Sequence, residues 1–68
     1  MVKLYVIYDH PRDFPLWFVC RIFHGELAEP HAWAFTRTLE EMRARLPAGL
    51  YNLGRQPEDD PAIAEVWI

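Results

Sequence analysis

The apolar and polar positions of this chain fall into short blocks of period two, separated by proline and glycine, and one block with a helical period. In residues 2–8, Leu4, Val6 and Tyr8 alternate with Lys3, Tyr5 and Ile7, which divides them between the two faces of a strand. Val, Tyr and Ile favour strands. Both faces are largely apolar, so this is expected to be a central strand. Residues 16–24, LWFVCRIFH, alternate in the same way. Phe18, Cys20 and Ile22 share one side; Trp17, Val19, Arg21 and Phe23 share the other; Gly25 ends the run. Sequential strands usually pair, so a hairpin is expected, irregular because the connection 9–15 is longer than a tight turn. Trp33 to Phe35 reads as a short extended segment, residues 50–54 as a short third strand, and residues 62–68 as a last strand. In that last strand Ala62, Ala64, Val66 and Ile68 are expected on one face, and Ile63, Glu65 and Trp67 on the other.

The helical block is TLEEMRARL. Thr38 stands three residues before Glu41, the spacing of a capping box. Leu39, Met42 and Leu46 make one apolar stripe, and Glu41 lies four residues before Arg45, the favourable orientation for an ion pair. Pro47 and Gly49 stop it. Two turns are too few for a stable isolated helix, so it must dock on the sheet. The pattern therefore predicts one α+β domain over residues 1–68, a small mostly antiparallel sheet with one short helix across a face, in the order ββαββ.

At 68 residues there is room for one core. Cys20 is the single cysteine, which rules out an intramolecular disulfide. Stability must come from the hydrophobic content, 51 % of residues, or from burying an apolar face against another chain. The net charge of −3 is unevenly placed: through residue 54 cations and acids cancel, and the excess comes from Glu58, Asp59, Asp60 and Glu65 against Arg55. Such a balance argues against strong phosphate-backbone binding. The apolar run after Lys3 is too short for a signal peptide or a membrane span, and a lone thiol suits a reducing cytosol. A cytoplasmic protein with no membrane partner is expected.

Candidate chemistry begins with YDHPRDFP, where His10 stands between Asp9 and Asp13. An imidazole oriented by a carboxylate can do acid–base work near neutral pH. No nucleophile or second half of a site accompanies it, and Asp and Pro are ordinary turn-formers, so these three residues are flagged as a polar turn and no catalytic residue is assigned. His10, His24, His31 and Cys20 lack metal-ligand spacing, and Glu58-Asp59-Asp60 is too few ligands for calcium. No metal or other cofactor is expected. Cys20, mid-strand among Phe18 and Ile22, reads as a small buried hydrophobe.

The surplus of aromatic side chains, 15 % of residues, points elsewhere. One short helix covers one face of a sheet. Tyr5, Ile7, Trp17, Val19, Phe23, Ile63 and Trp67 are expected opposite Val6, Phe18, Ile22 and Val66, leaving an aromatic face unless the loop Glu26–Ala32, with Trp33 and Phe35, folds over it. Exposed apolar patches mark interaction sites, which nominates Tyr5, Trp17, Phe23 and Trp67 as an interaction surface. The same aromatics on a sheet could stack single-stranded bases, but only Lys3 and Arg21 would supply cations, and the acidic C-terminal segment opposes it.

The segments LYVIYDHPRDFP, FVCR and TLEEMRARLPAGLYNLGRQPEDDPAIAEVWI together resemble a group of short uncharacterised proteins of bacteriophages and prophages. The resemblance implies a soluble protein of the infected cell's cytoplasm and carries no activity to any residue. Small phage proteins often bind host proteins. The expected function is a non-catalytic protein-interaction module for a host or phage protein, with a homodimer through an aromatic sheet face as one form of it. The alternatives are a small single-stranded nucleic-acid-binding sheet and a small enzyme using His10 with Asp9 or Asp13.

Overall fold

A computed structural model describes residues 2–56 and 59–68. Its elements are β1 (Lys3–Asp9), β2 (Phe18–His24), β3 (Leu27–Ala28), β4 (Ala34–Thr36), α1 (Leu39–Arg45), β5 (Asn52–Gly54) and β6 (Ile63–Trp67). All strand pairs are antiparallel, in the order β3-β2-β1-β6-β5, with β4 also beside β2. The doubly apolar β1 lies at the centre, paired to β2 from Lys3–His24 through Asp9–Phe18 and to β6 through Tyr5–Trp67 and Val6–Val66.

The class is as expected from the pattern: an antiparallel sheet carrying one short helix. The order is ββββαββ rather than ββαββ. The extra strands arise in and after the segment read as a loop. Gly25, at φ 62°, turns the chain back, and Leu27 and Ala28 pair with His24 and Phe23. The chain then bulges outward around Pro30 and returns, with Ala34, Phe35 and Thr36 opposite Cys20, Val19 and Phe18. The three-residue β4 overlaps the extended segment expected at Trp33 to Phe35, and β5 lies within the strand expected at residues 50–54, while the two-residue β3 is shorter than a period-two pattern can reveal.

The register fixes the faces. Tyr5 opposes Ile22 and Trp67, and Ile7 opposes Cys20 and Glu65. Tyr5, Ile7, Cys20, Ile22, Ala34 and Met42 form the buried core, with Phe18, Leu39, Leu46, Leu50, Ala64 and Trp67 packed around it. This corrects the expected grouping. Tyr5, Ile7 and Trp67 lie with Phe18 and Ile22 under the helix, while Trp17, Val19 and Phe23 lie with Val6 and Val66 on the other side. A second correction concerns β6. Ile7 pairs with Glu65 but Tyr8 with Ile63, so a β-bulge removes strict alternation there. Ala64 joins the core, and Ile63 joins Tyr8 and Val66 on the helix-free face.

Thr38 caps the helix. Its hydroxyl oxygen accepts the Glu41 N–H at 3.1 Å and its hydroxyl donates to the Glu41 carboxylate at 3.2 Å. Met42 points into the core with no exposed surface. On the neighbouring helix face Arg43 reaches β6, donating from Nε to Glu65 Oε1 at 3.0 Å and from its terminal nitrogen to Oε2. Asn52 of β5 donates to the same carboxylate at 3.1 Å, as does the Trp67 indole. Glu65 is buried at 7 % exposure, and the Arg43 hydrogen bonds, helped by Trp67 and Asn52, hold its carboxyl below the usual carboxylate value despite burial.

Two outcomes follow for stability. Replacing Thr38 by Ala is expected to cost about 1 kcal/mol, read from the urea midpoint. Glu65→Gln is expected to cost about 1–3 kcal/mol near neutral pH, because it leaves buried donors poorly matched. The folded carboxyl titrates below its ordinary 4.5, so its contribution is complete above that value and is lost as pH falls through the depressed folded value. Acidification through this window should lower the urea midpoint of the wild type more than that of Glu65→Gln.

Candidate functional site

YDHPRDFP becomes two successive turns. The Phe14 N–H donates to the Pro11 carbonyl at 3.0 Å and the Trp17 N–H to the Phe14 carbonyl at 3.2 Å, with His10 N–H closing on the Trp17 carbonyl at 3.0 Å. Pro15, with its fixed φ, occupies the first inner position of the second turn, where proline is favoured. His10 has φ 49°, in the left-handed region, which histidine visits more readily than branched residues. Its Nδ1 pairs with Asp9, and its ring meets Phe18 edge-on at 5.1 Å. Both contacts hold the ring against the end of the hairpin.

The turns overhang the helix-free face and build one wall of an open cleft of about 660 Å³. Arg12 and Asp13 come from the turns and Arg21 from β2, with Arg21 donating to Asp13 at 2.9 Å. The opposite wall is Asp60, Pro61 and Ala62, at the start of β6. The walls face each other because β1 lies between β2 and β6. The Asp9 N–H, donating to the Ala62 carbonyl at 2.7 Å, ties the two together. Tyr8 of β1 lies between them. Burial raises the pKa of its hydroxyl, Asp60 adds to the rise and Arg21 opposes it.

Tyr8 also lines a second concavity, an apolar groove of about 260 Å³. Leu4, Val6, Phe23, Ile63 and Val66 form its base, and Leu53, Gly54, Gln56 and Asp59 its lip. Leu53 is exposed, at 50 %. Cleft and groove thus make one continuous surface, charged at one end and apolar at the other.

The four aromatics expected to form one surface are separated. Tyr5 is buried, edge-on to Trp33 at 5.2 Å, and Trp67 serves Glu65 under the helix. Trp17 lies on the helix-free side but meets Phe35 at 6.4 Å and carries the Arg37 guanidinium over its ring at 4.4 Å. Phe14 closes on Phe35 at 4.7 Å, so these rings shield Val19, which has no exposed surface. Of the four, Phe23 alone lines the groove. The expected covering loop takes part only through Phe35; Trp33 packs on the opposite side. Of the flagged polar residues, His10 and Asp13 line the cleft, and Asp9 is held by His10. Sequence reasoning missed Tyr8, Arg12, Asp60, Leu53 and Ile63. Arg12 and Asp60 were visible as turn charges, but nothing in a linear pattern places two turns against one another.

The cleft can bind ions and hydrogen-bonding groups of both signs. Its carboxylates make it a poor track for a phosphodiester backbone. Among the described residues no group of three His, Cys, Asp or Glu could hold a metal ion, and no helix is long and apolar enough to cross a membrane. Glu58 lies outside the described residues, so its part in the acidic turn is not described. No family model matches the chain, and no curated protein or solved structure matches it.

Cys20 belongs to the core rather than to this surface, and burial pushes its thiol up to about 12. A thiolate-selective disulfide reagent is expected to label it at pH 8 only as fast as the protein opens, and at once in urea. Rapid labelling of the native chain would contradict this environment.

Proposed function

We propose that this chain is a non-catalytic protein-interaction module whose binding surface is the helix-free sheet face. The observation that carries the reading is the continuity, through Tyr8, of an apolar groove with a charged cleft. Interfaces commonly combine a desolvated apolar patch with a polar rim that sets register. The resemblance to phage and prophage proteins supports a host or phage protein as the partner and the infected cell's cytoplasm as the setting.

The two alternatives have less behind them. Asp13, Asp59 and Asp60 border the surface that a single strand would have to cross. His10 contacts Asp9 and Phe18 at the hairpin end, and among the described residues the cleft lining brings it no Ser, Thr or Cys.

The test uses exposed residues, where substitutions usually leave stability within about 0.5 kcal/mol. Leu53→Glu, at the groove lip, should weaken capture of a host or phage partner at least about tenfold by disrupting apolar contact. Leu27→Glu, exposed on the far edge strand, should leave capture unchanged. Equal capture by both variants, with wild-type circular dichroism, would remove the helix-free face as the binding surface. Fluorescence titration with single-stranded oligonucleotides at low salt is expected to show no salt-dependent binding.

A further inference from the structure

The charges of the cleft are unevenly divided: Arg21 and Asp13 pair on the β2 side, which leaves Arg12 there and Asp60 opposite. Arg12 and Arg21 stand on the β2 side of Tyr8, and Asp60 stands on the β6 side, with Asp59 behind it at the groove. Arg21 is engaged by Asp13 at 2.9 Å. Arg12 is exposed. Asp60 uses Oδ1 to accept the Ala62 N–H at 2.9 Å, and among the described residues its second oxygen accepts no hydrogen bond. A twofold axis lying between two such faces, parallel to β1 and passing over Tyr8, exchanges the two walls. It brings a basic wall onto an acidic wall twice, as an isologous contact requires. A surface with opposite charges on either side of one axis is complementary to itself, and the adjoining apolar groove supplies area that such a pairing removes from water.

We propose that the helix-free face is the interface of a twofold homodimer in which Arg12 of each copy pairs with Asp60 of the other across the two Tyr8 side chains, while the groove between Phe23 and Leu53 is covered. This rests on the reading of that face as a binding surface and commits it to one occupant, a second copy of the chain. The apolar groove supplies contact area. The paired charges fix the orientation and the register, since sliding or rotating one copy sets like charges together.

The experiment is sedimentation equilibrium of the full chain with charge-reversal variants. The wild type is expected at twice the 8.1 kDa of one chain at tens of micromolar. Arg12→Asp and Asp60→Arg are each expected at the mass of one chain, with dissociation constants raised on the order of a hundredfold or more by like charges meeting twice. An equimolar mixture of the two variants should recover the double mass, because both contacts in the heterodimer then join Asp to Arg. Circular dichroism checks the fold. If Asp60→Arg disturbs the Ala62 turn, Asp60→Asn keeps that hydrogen bond and should still weaken the dimer about tenfold.

A wild type that stays at one-chain mass at about 100 μM, well above ordinary dimer dissociation constants, overturns the homodimer. So does a dimer that both reversals leave at wild-type strength, since it must use another surface. If the chain is monomeric while Leu53→Glu still abolishes capture of a different protein, the binding face stands and its occupant is not a second copy. If Leu53→Glu changes neither capture nor self-association, the binding face itself falls.

Discussion

The Arg43–Glu65 contact is the constraint on which the arrangement of the sheet depends. A two-turn helix has little stability of its own, and its apolar stripe of Leu39, Met42 and Leu46 seats it on the core without alone fixing its rotation. Arg43 fixes that rotation by gripping a carboxylate two strands away from β2, where the helix packs. The same carboxylate takes Asn52 from the last strand of the sheet and the indole of Trp67. Three elements distant in sequence are thus joined at one buried charge whose donors are supplied from all of them. A buried carboxylate without such donors would be costly; with them it specifies which helix face turns inward and where β5 lies.

That placement decides what remains on the other side. The helix covers Tyr5, Ile7, Cys20 and Ile22, so nothing helical protects Leu4, Val6, Val19, Phe23 and Val66. The chain covers them unevenly. Phe14, Trp17 and Phe35 shield Val19 near one end, while Leu53, Gly54, Gln56 and Asp59 border the remaining apolar base without closing it. The half-covered face is a consequence of having one short helix for a five-position sheet.

Much of this was legible in the chain. The central position of β1, the faces of β2, the capped helix and its inward Met42 all follow from local patterns that the structure keeps, because each is set by neighbours within one strand or one turn. What was not legible depends on pairing. Whether Tyr5 shares a face with Cys20 or with Val19 is a matter of register, and register is set between strands. The bulge at Ala64 reverses Ile63 by one inserted residue, which alternation cannot anticipate. The cleft needed still more: two polar turns, forty-odd residues apart in the chain, had to be placed across a single strand from each other. Charge signs were visible, but not that Arg12 and Asp60 would stand on opposite walls.

The borders of the sheet have a consequence for how this protein can meet its neighbours. On one side the outermost strand is broken around Pro30, with the Glu29 and Trp33 N–H groups turned inward to the Ile22 and Cys20 carbonyls. On the other, β5 is three residues long, bends at Gly54 with φ 68°, and uses the Asn52 side chain on the Gly54 N–H at 2.7 Å. Neither margin presents a long straight row of vacant backbone donors and acceptors, the template on which fibrils elongate. A sheet so small and so rich in aromatics is thereby protected from endless strand-by-strand growth, and encounters that last are directed toward its broad side.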